Sequence, residues 1–193
     1  IRKVSFEKNL SSICDNHKVN RFECRKLIHK LQGYHYETFQ HSLNVSYYSH
    51  QLAKTIELSE EEVFQISLGA LFHDLGKILI ARSVLNKPGL LSKEEWNFIK
   101  KHPQFGVDLL GKYEWANNIL PFVLYHHERV DGSGYMGLKR EQIPLGAKII
   151  CLADSLDAML SNRPYCKGHN YKKSLEELEQ NSGSQFEPDL VPY

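Results

Sequence analysis

At 193 residues, with 41% hydrophobic and 24% charged residues, the chain is long enough to bury a full core and has the composition of a folded globular protein. A net charge of +1 sets up no field strong enough to gather nucleic acid or an anionic membrane, so DNA is not an expected partner and any phosphate must be held by local groups. No stretch approaches the roughly 20 apolar residues of a membrane span and no signal peptide opens the chain, which points to the cytoplasm.

The chain begins with Ile1 rather than Met, as expected of a piece of something longer with a sensor domain upstream. Cys14, Cys24, Cys151 and Cys166 form no Cys-x-x-Cys pair, so neither disulfides nor thiolate metal sites are expected. Residues 1–33 read as a helical lead-in without chemistry, its buried stripe Phe22, Cys24, Leu27, Ile28 and Leu31 ended by Gly33. Residues 34–193 read as the functional domain. Residues 36–58 are compatible with one long helix, on which Glu37 and His41 project from the same face one turn apart.

Ser59 and Glu62 form a capping-box pattern that opens the helix leading to His73-Asp74-Leu75-Gly76-Lys77. The background from residue 65 to 80 is too apolar for an exposed face. A buried carboxylate there costs about several kcal/mol unless it is paired, either with its neighbouring imidazole or with a metal ion. Lys77 lies on the same helical side and could hold a phosphate. Residues 82–91 read as a loop, closed by a second capping box at Ser92 and Glu95. His102-Pro103 marks a boundary, with a helix expected over 104–110.

A further apolar helix, expected over 116–125, delivers His126-His127-Glu128. The loop 130–137 contains three glycines and can approach a ligand closely. A last strong helix over 145–160 carries Asp154 and Asp157 in an apolar run, and a helix over 170–180 precedes a polar tail. Helical periodicity dominates and alternating strands are absent, so the expected fold is all-α. Together His41, His73, Asp74, His102, His126, His127 and Asp154 offer five imidazoles and two carboxylates from separate helices. Nitrogen and oxygen donors without thiolate suit first-row divalent metals, and the set is too large for one ion.

These residues closely resemble the HD-GYP family, a branch of the HD metal-dependent phosphohydrolases. The motifs that carry the resemblance run over residues 38–190: His41-Ser42, His73-Asp74-Leu75-Gly76-Lys77, His102-Pro103-Gln104-Phe105-Gly106, His126-His127-Glu128, Asp131-Gly132-Ser133-Gly134-Tyr135, Ile143-Pro144-Leu145, Ala153-Asp154, Asp157-Ala158, Arg163-Pro164-Tyr165 and Gln185-Phe186. The resemblance implies an HD-type helical bundle around two or three divalent ions, iron or manganese. It implies hydrolysis of a cyclic dinucleotide, above all cyclic di-GMP, with cyclic GMP-AMP as the related substrate. Metal binding then falls to His41, His73, Asp74, His102, His126, His127 and Asp154, and a third ion would add Glu37. Asp74 and Lys77 are the expected catalytic residues, and Lys77, Asp131, Gly134, Tyr135, Arg163 and Lys167 the expected substrate contacts.

Two departures stand out. Met136 follows Gly134-Tyr135 where the family motif has proline, which is expected to free the loop without removing a ligand. Cys166, beside Lys167, occupies a position that is often basic. A non-catalytic cyclic dinucleotide receptor that signals to a protein partner is the alternative reading, and an HD hydrolase of another phosphoester is a third.

Overall fold

The computed structural model describes residues 19–161 and 170–193, and its regular elements are helical, with no strand among the described residues. Asn20 opens the first helix, α1 (Arg21–Tyr34), by accepting the N–H groups of Phe22 and Glu23. Gly33 does not end α1, which runs on to Tyr34. Its buried face is Cys24, Leu27 and Leu31, whereas Phe22 is 77% exposed and drops out of the expected stripe.

The next helices are α2 (Tyr36–Thr55) and α3 (Glu60–Phe72), and the capping box at Ser59 and Glu62 forms as the sequence predicts. Helix α3 is the centre of the molecule because it is apolar on nearly every side. Phe64, Leu68, Leu71 and Phe72 pack with Leu27 and Leu31 of α1 in one core cluster, while Val63, Ile66 and Ala70 belong to a second. A helix buried on both faces has no amphipathic stripe to align, and its end is therefore carried into the interior. That interior end delivers His73 and Asp74.

A tight 3-10 turn (Leu75–Leu79) follows, then α4 (Arg82–Leu85) in the stretch expected to be loop, then α5 (Lys93–Ile99) with its capping box at Ser92 and Glu95. Helix α6 (His102–Leu110) starts at His102 itself, since Pro103 is accommodated in a first turn whose N–H groups have no helical acceptor. The helix expected over 116–125 is divided into a 3-10 turn (Glu114–Ala116) and α7 (Leu120–Tyr125). Pro121 is the cause: it fits the first turn of a helix and not the interior. After a 3-10 turn (Arg140–Gln142) come α8 (Leu145–Leu160) and α9 (Tyr171–Gln180).

Helix α8 lies against α2 and α3 and supplies Ile149, Ile150 and Ala153 to the second cluster, with Leu178, Phe186 and Leu190 closing it from the C-terminal side. Lys148 on α8 holds the carboxylate of Glu187 at 2.7 Å and fastens the tail. Among the described residues no helix is long and apolar enough to cross a membrane.

Candidate metal centre

Three of the site histidines sit just beyond helix ends, and this position fixes their chemistry. The last carbonyls of a helix lack intrahelical donors. The Nδ1–H of His73 donates to Ala70 O at 2.7 Å, that of His102 to Ile99 O at 2.8 Å and that of His126 to Val123 O at 2.8 Å. Each ring is thereby held in the tautomer that leaves Nε2 as a lone pair, which is what a metal ligand requires.

His41 lies inside α2, where the neighbouring carbonyls are occupied, and it takes its partner from another helix. Its Nδ1–H donates to Asp157 Oδ2 at 2.7 Å, and the same buried carboxylate accepts from Asn44 Nδ2 at 2.9 Å. Asp157 and Asn44 orient a candidate ligand without being ligands. The sequence showed Asp157 as a carboxylate in an apolar run and as part of a family motif, but gave it no role, because its partner lies 116 positions away. Replacing Asp157 with alanine is expected to weaken metal binding about 10- to 100-fold. Titration of the metal-free protein with manganese, followed by calorimetry, would read this, and an unchanged affinity would remove the orienting role.

The ligand atoms converge in two groups, His41 with His73 and Asp74, and His102 with His126 and His127, the atoms within each lying no more than 4.8 Å apart. Asp74 connects them. Its Oδ2 is 3.4 Å from His73 Nε2 and 3.8 Å from His41 Nε2, and its Oδ1 is 3.1 Å from His102 Nε2. Asp154 spans the same gap from above, with Oδ1 2.9 Å from His41 Nε2 and Oδ2 4.0 Å from His127 Nδ1. His73, Asp74, His102 and His126 form a floor that is at most 1% exposed, whereas Lys77 and His127 stand at the mouth at 23% and 26%.

This donor set fits divalent ions on its own geometry. His73 Nε2 is buried without a hydrogen-bond partner, and the Nε2 atoms of His102 and His126 face each other at 3.2 Å. With both Nδ1 atoms already donating, two lone pairs meet there unless a proton or a cation lies between them. Protons are disfavoured. Burial pushes His102 below the usual imidazole range, and burial together with the neighbouring His127 and His73 pushes His126 well below it.

Burial also brings His127 down to about 3. His41 moves the other way, up to about 9, because Asp154 and Asp157 outweigh the burial that opposes its charge. Asp74 is held well below the carboxylate range: burial opposes this, and Lys77 and the surrounding imidazoles prevail. Neutral imidazoles and ionised carboxylates are the forms that bind metal, so His41 alone of these ligands would release a proton to an incoming ion.

The other expected residues divide. Lys77 Nζ rests on Asp74 Oδ2 at 2.6 Å, so it anchors the central carboxylate as well as facing the mouth. The ring of Tyr135 stacks on His127 with centroids 4.6 Å apart, and its hydroxyl, pushed up to about 12 by burial and by Asp74 and Asp154, stays protonated at neutral pH. Gly134 passes against the backbone of Glu128, where an added Cβ would come within 2.6 Å of Glu128 Cα.

The carboxylate of Asp131 is used within the loop, accepting from Ser133 N at 2.9 Å and pairing with Arg129 at 3.1 Å. Glu37 is exposed in the first turn of α2 and belongs to neither ligand group. Arg163 and Lys167 lie outside the described residues. Glu128, which the sequence offered only as the end of a motif, proves to be a 3% exposed carboxylate that accepts two loop N–H groups.

Comparison with known proteins agrees with this geometry. The profile of the HD domain family matches residues 17–190. A cyclic di-GMP phosphodiesterase of Thermotoga maritima is 37% identical over 177 residues, which cover 88% of this chain and 47% of that protein. The 3'3'-cGAMP-specific phosphodiesterase 2 of Vibrio cholerae is 32% identical over 191 residues, covering 97% of this chain and 36% of that protein. The chain thus spans about half or less of the length of these relatives. Among solved structures, Bd1817, an HDG"Y"P protein of Bdellovibrio bacteriovorus, superposes with a TM-score of 0.66 at 22% identity, over 80% of this chain and 50% of that one. It shares the fold.

Proposed function

The chain belongs to the HD domain family, in its HD-GYP branch, and we propose that it is a metal-dependent phosphodiesterase that opens a cyclic dinucleotide. Cyclic di-GMP is the first substrate and 3'3'-cyclic GMP-AMP the second, in keeping with the activities named for its relatives. The observation that carries the reading is the pair of ligand groups joined by Asp74 and Asp154 over a buried floor of lone pairs.

The donor set suits two divalent ions, iron or manganese, which His41, His73, Asp74, His102, His126, His127 and Asp154 would hold. When bound, such ions lower the pKa of water into the neutral range and offset charge on phosphoryl oxygens. A third ion would draw on Glu37. The residues of the chain then have distinct tasks. The Nδ1 hydrogen bonds keep the imidazole rings from turning, and Lys77 keeps the Asp74 carboxylate aimed across the centre while presenting positive charge to an incoming phosphate.

Tyr135, protonated and stacked on His127, walls the mouth and offers a donor to the substrate. Asp131 supports that loop. Arg163 and Lys167 supply cationic contacts to phosphate or base. The protein acts in the cytoplasm as the output part of a longer signalling protein, its activity set by an upstream sensor domain and by protein partners.

The test is chromatographic product analysis after incubating anaerobically purified, iron- or manganese-loaded protein with each dinucleotide. A linear dinucleotide or mononucleotides, absent after chelation, are expected. Intact substrate in both reactions, with metal confirmed bound, would overturn the proposal in favour of a receptor or of another phosphoester.

A further inference from the structure

The loop after His127 is shaped by a single buried carboxylate. Glu128 Oε1 accepts the N–H of Met136 at 2.6 Å, and Oε2 accepts the N–H of Leu138 at 2.7 Å. Between those donors Gly137 has φ +71°, a left-handed conformation that turns successive N–H groups toward one concave side, where an anion can be held. On the other flank Gly134 lies directly on the Glu128 backbone, and Tyr135, between Gly134 and Met136, is thereby pressed onto the His127 ring.

The loop is fastened again at its base, where Asp131 N donates to Ser184 O at 2.9 Å and Arg129 Nη1 to Gln185 Oε1 at 2.6 Å. Its tip depends on Glu128. Met136 is the informative residue, because its side chain is exposed at 46% and its contribution to the tip is its N–H. Proline has no N–H to give. Against the sequence-based expectation that a non-proline residue frees this loop stands one bond: Met136 adds a charge-assisted hydrogen bond that a proline at the same position could not make.

We propose that Glu128 is a positioning residue whose carboxylate, clamped on the N–H groups of Met136 and Leu138, holds Tyr135 over His127 and so sets the affinity of the site for its dinucleotide. The link to affinity rests on the phosphodiesterase reading. The clamp itself does not, and the two are read separately.

Three variants of the metal-loaded protein are compared: Met136→Pro, which deletes one donor; Glu128→Gln, which keeps the shape but replaces one acceptor oxygen by an NH2 group that donates and cannot accept; and Met136→Ala, which keeps the N–H. Hydrogen exchange of the Leu138 amide and the nuclear Overhauser effect between the Tyr135 and His127 rings report the clamp without any substrate, using a diamagnetic zinc-loaded sample for the latter. Met136→Pro and Glu128→Gln are expected to speed exchange and weaken the ring contact, while Met136→Ala retains both.

In turnover, Met136→Pro and Glu128→Gln are expected to raise KM about tenfold at unchanged metal content, with kcat changed by less than about twofold. Slow exchange and an intact ring contact in both variants would overturn the clamp. A released clamp with an unchanged KM would overturn its role in substrate affinity. Absence of turnover in the parent protein would count against the phosphodiesterase reading alone.

Discussion

Asp74→Ala is expected to abolish metal retention and hydrolysis together. Asp74 is the one carboxylate on the floor of the site that reaches ligand atoms of both groups, with His73 at 3.4 Å on one side and His102 at 3.1 Å on the other. Removing it leaves Asp154, at the mouth side, as the one carboxylate among the named ligands to offset the charge of two divalent ions. Polarisation of phosphoryl oxygen and activation of water are together worth several kcal/mol, so turnover should fall by about a thousandfold or more.

Lys77→Ala should behave differently. It removes the cation at 2.6 Å from Asp74 but no ligand, so metal content at saturation is expected to persist while turnover falls about 10- to 100-fold. Elemental analysis of the two variants, paired with rates on the same samples, separates these outcomes. Full metal content in Asp74→Ala would remove Asp74 from the metal site, and parental turnover in Lys77→Ala would remove the role given to Lys77.

The sequence carried this centre further than it carried the loop around it. Buried polarity in the wrong background is visible without coordinates, which is why His73, Asp74 and Asp154 stood out, and local capping rules placed the starts of α3 and α5. The locking of the imidazole tautomers was hidden, because it depends on where each helix ends to within one residue. Helix α6 shows how small the margin is: it begins at His102, two residues earlier than the pattern suggested, and the preceding helix ends at Ile99, whose carbonyl holds the ring.

Asp157 and Glu128 were hidden for a different reason. Asp157 acts on a ring 116 positions away, and the partners of Glu128 are backbone N–H groups, for which side-chain identity gives almost no signal. Proline is the one residue whose identity speaks about a backbone donor, so the non-proline at position 136 held the clue in negative form.

Gly76→Ala is expected to damage the same centre through the backbone. The 3-10 turn after Asp74 lies so close to the first turn of α6 that a Cβ at Gly76 would stand 2.0 Å from His102 O and 2.6 Å from Gly106 N. Both obstacles are main-chain atoms, so no side chain can swing away and the turn must lift off α6. Overpacking of this kind costs about 3 kcal/mol, which for a chain of this size lowers Tm by about 6 to 12 °C.

The displacement also separates the two residues flanking the contact, Asp74 and His102, whose 3.1 Å approach joins the ligand groups. Metal affinity should therefore fall along with stability, and added manganese should restore Tm less than it does in the parent. Gly33→Ala provides the opposite case in the same protein. Gly33 lies within α1 with nothing near its missing Cβ, and alanine there should stabilise by about 0.5–1 kcal/mol and leave metal binding alone. Thermal melts of the three proteins with and without manganese decide the matter. If Gly76→Ala melted with the parent and bound manganese as tightly, the backbone contact between the 3-10 turn and α6 could not be what holds Asp74 against His102.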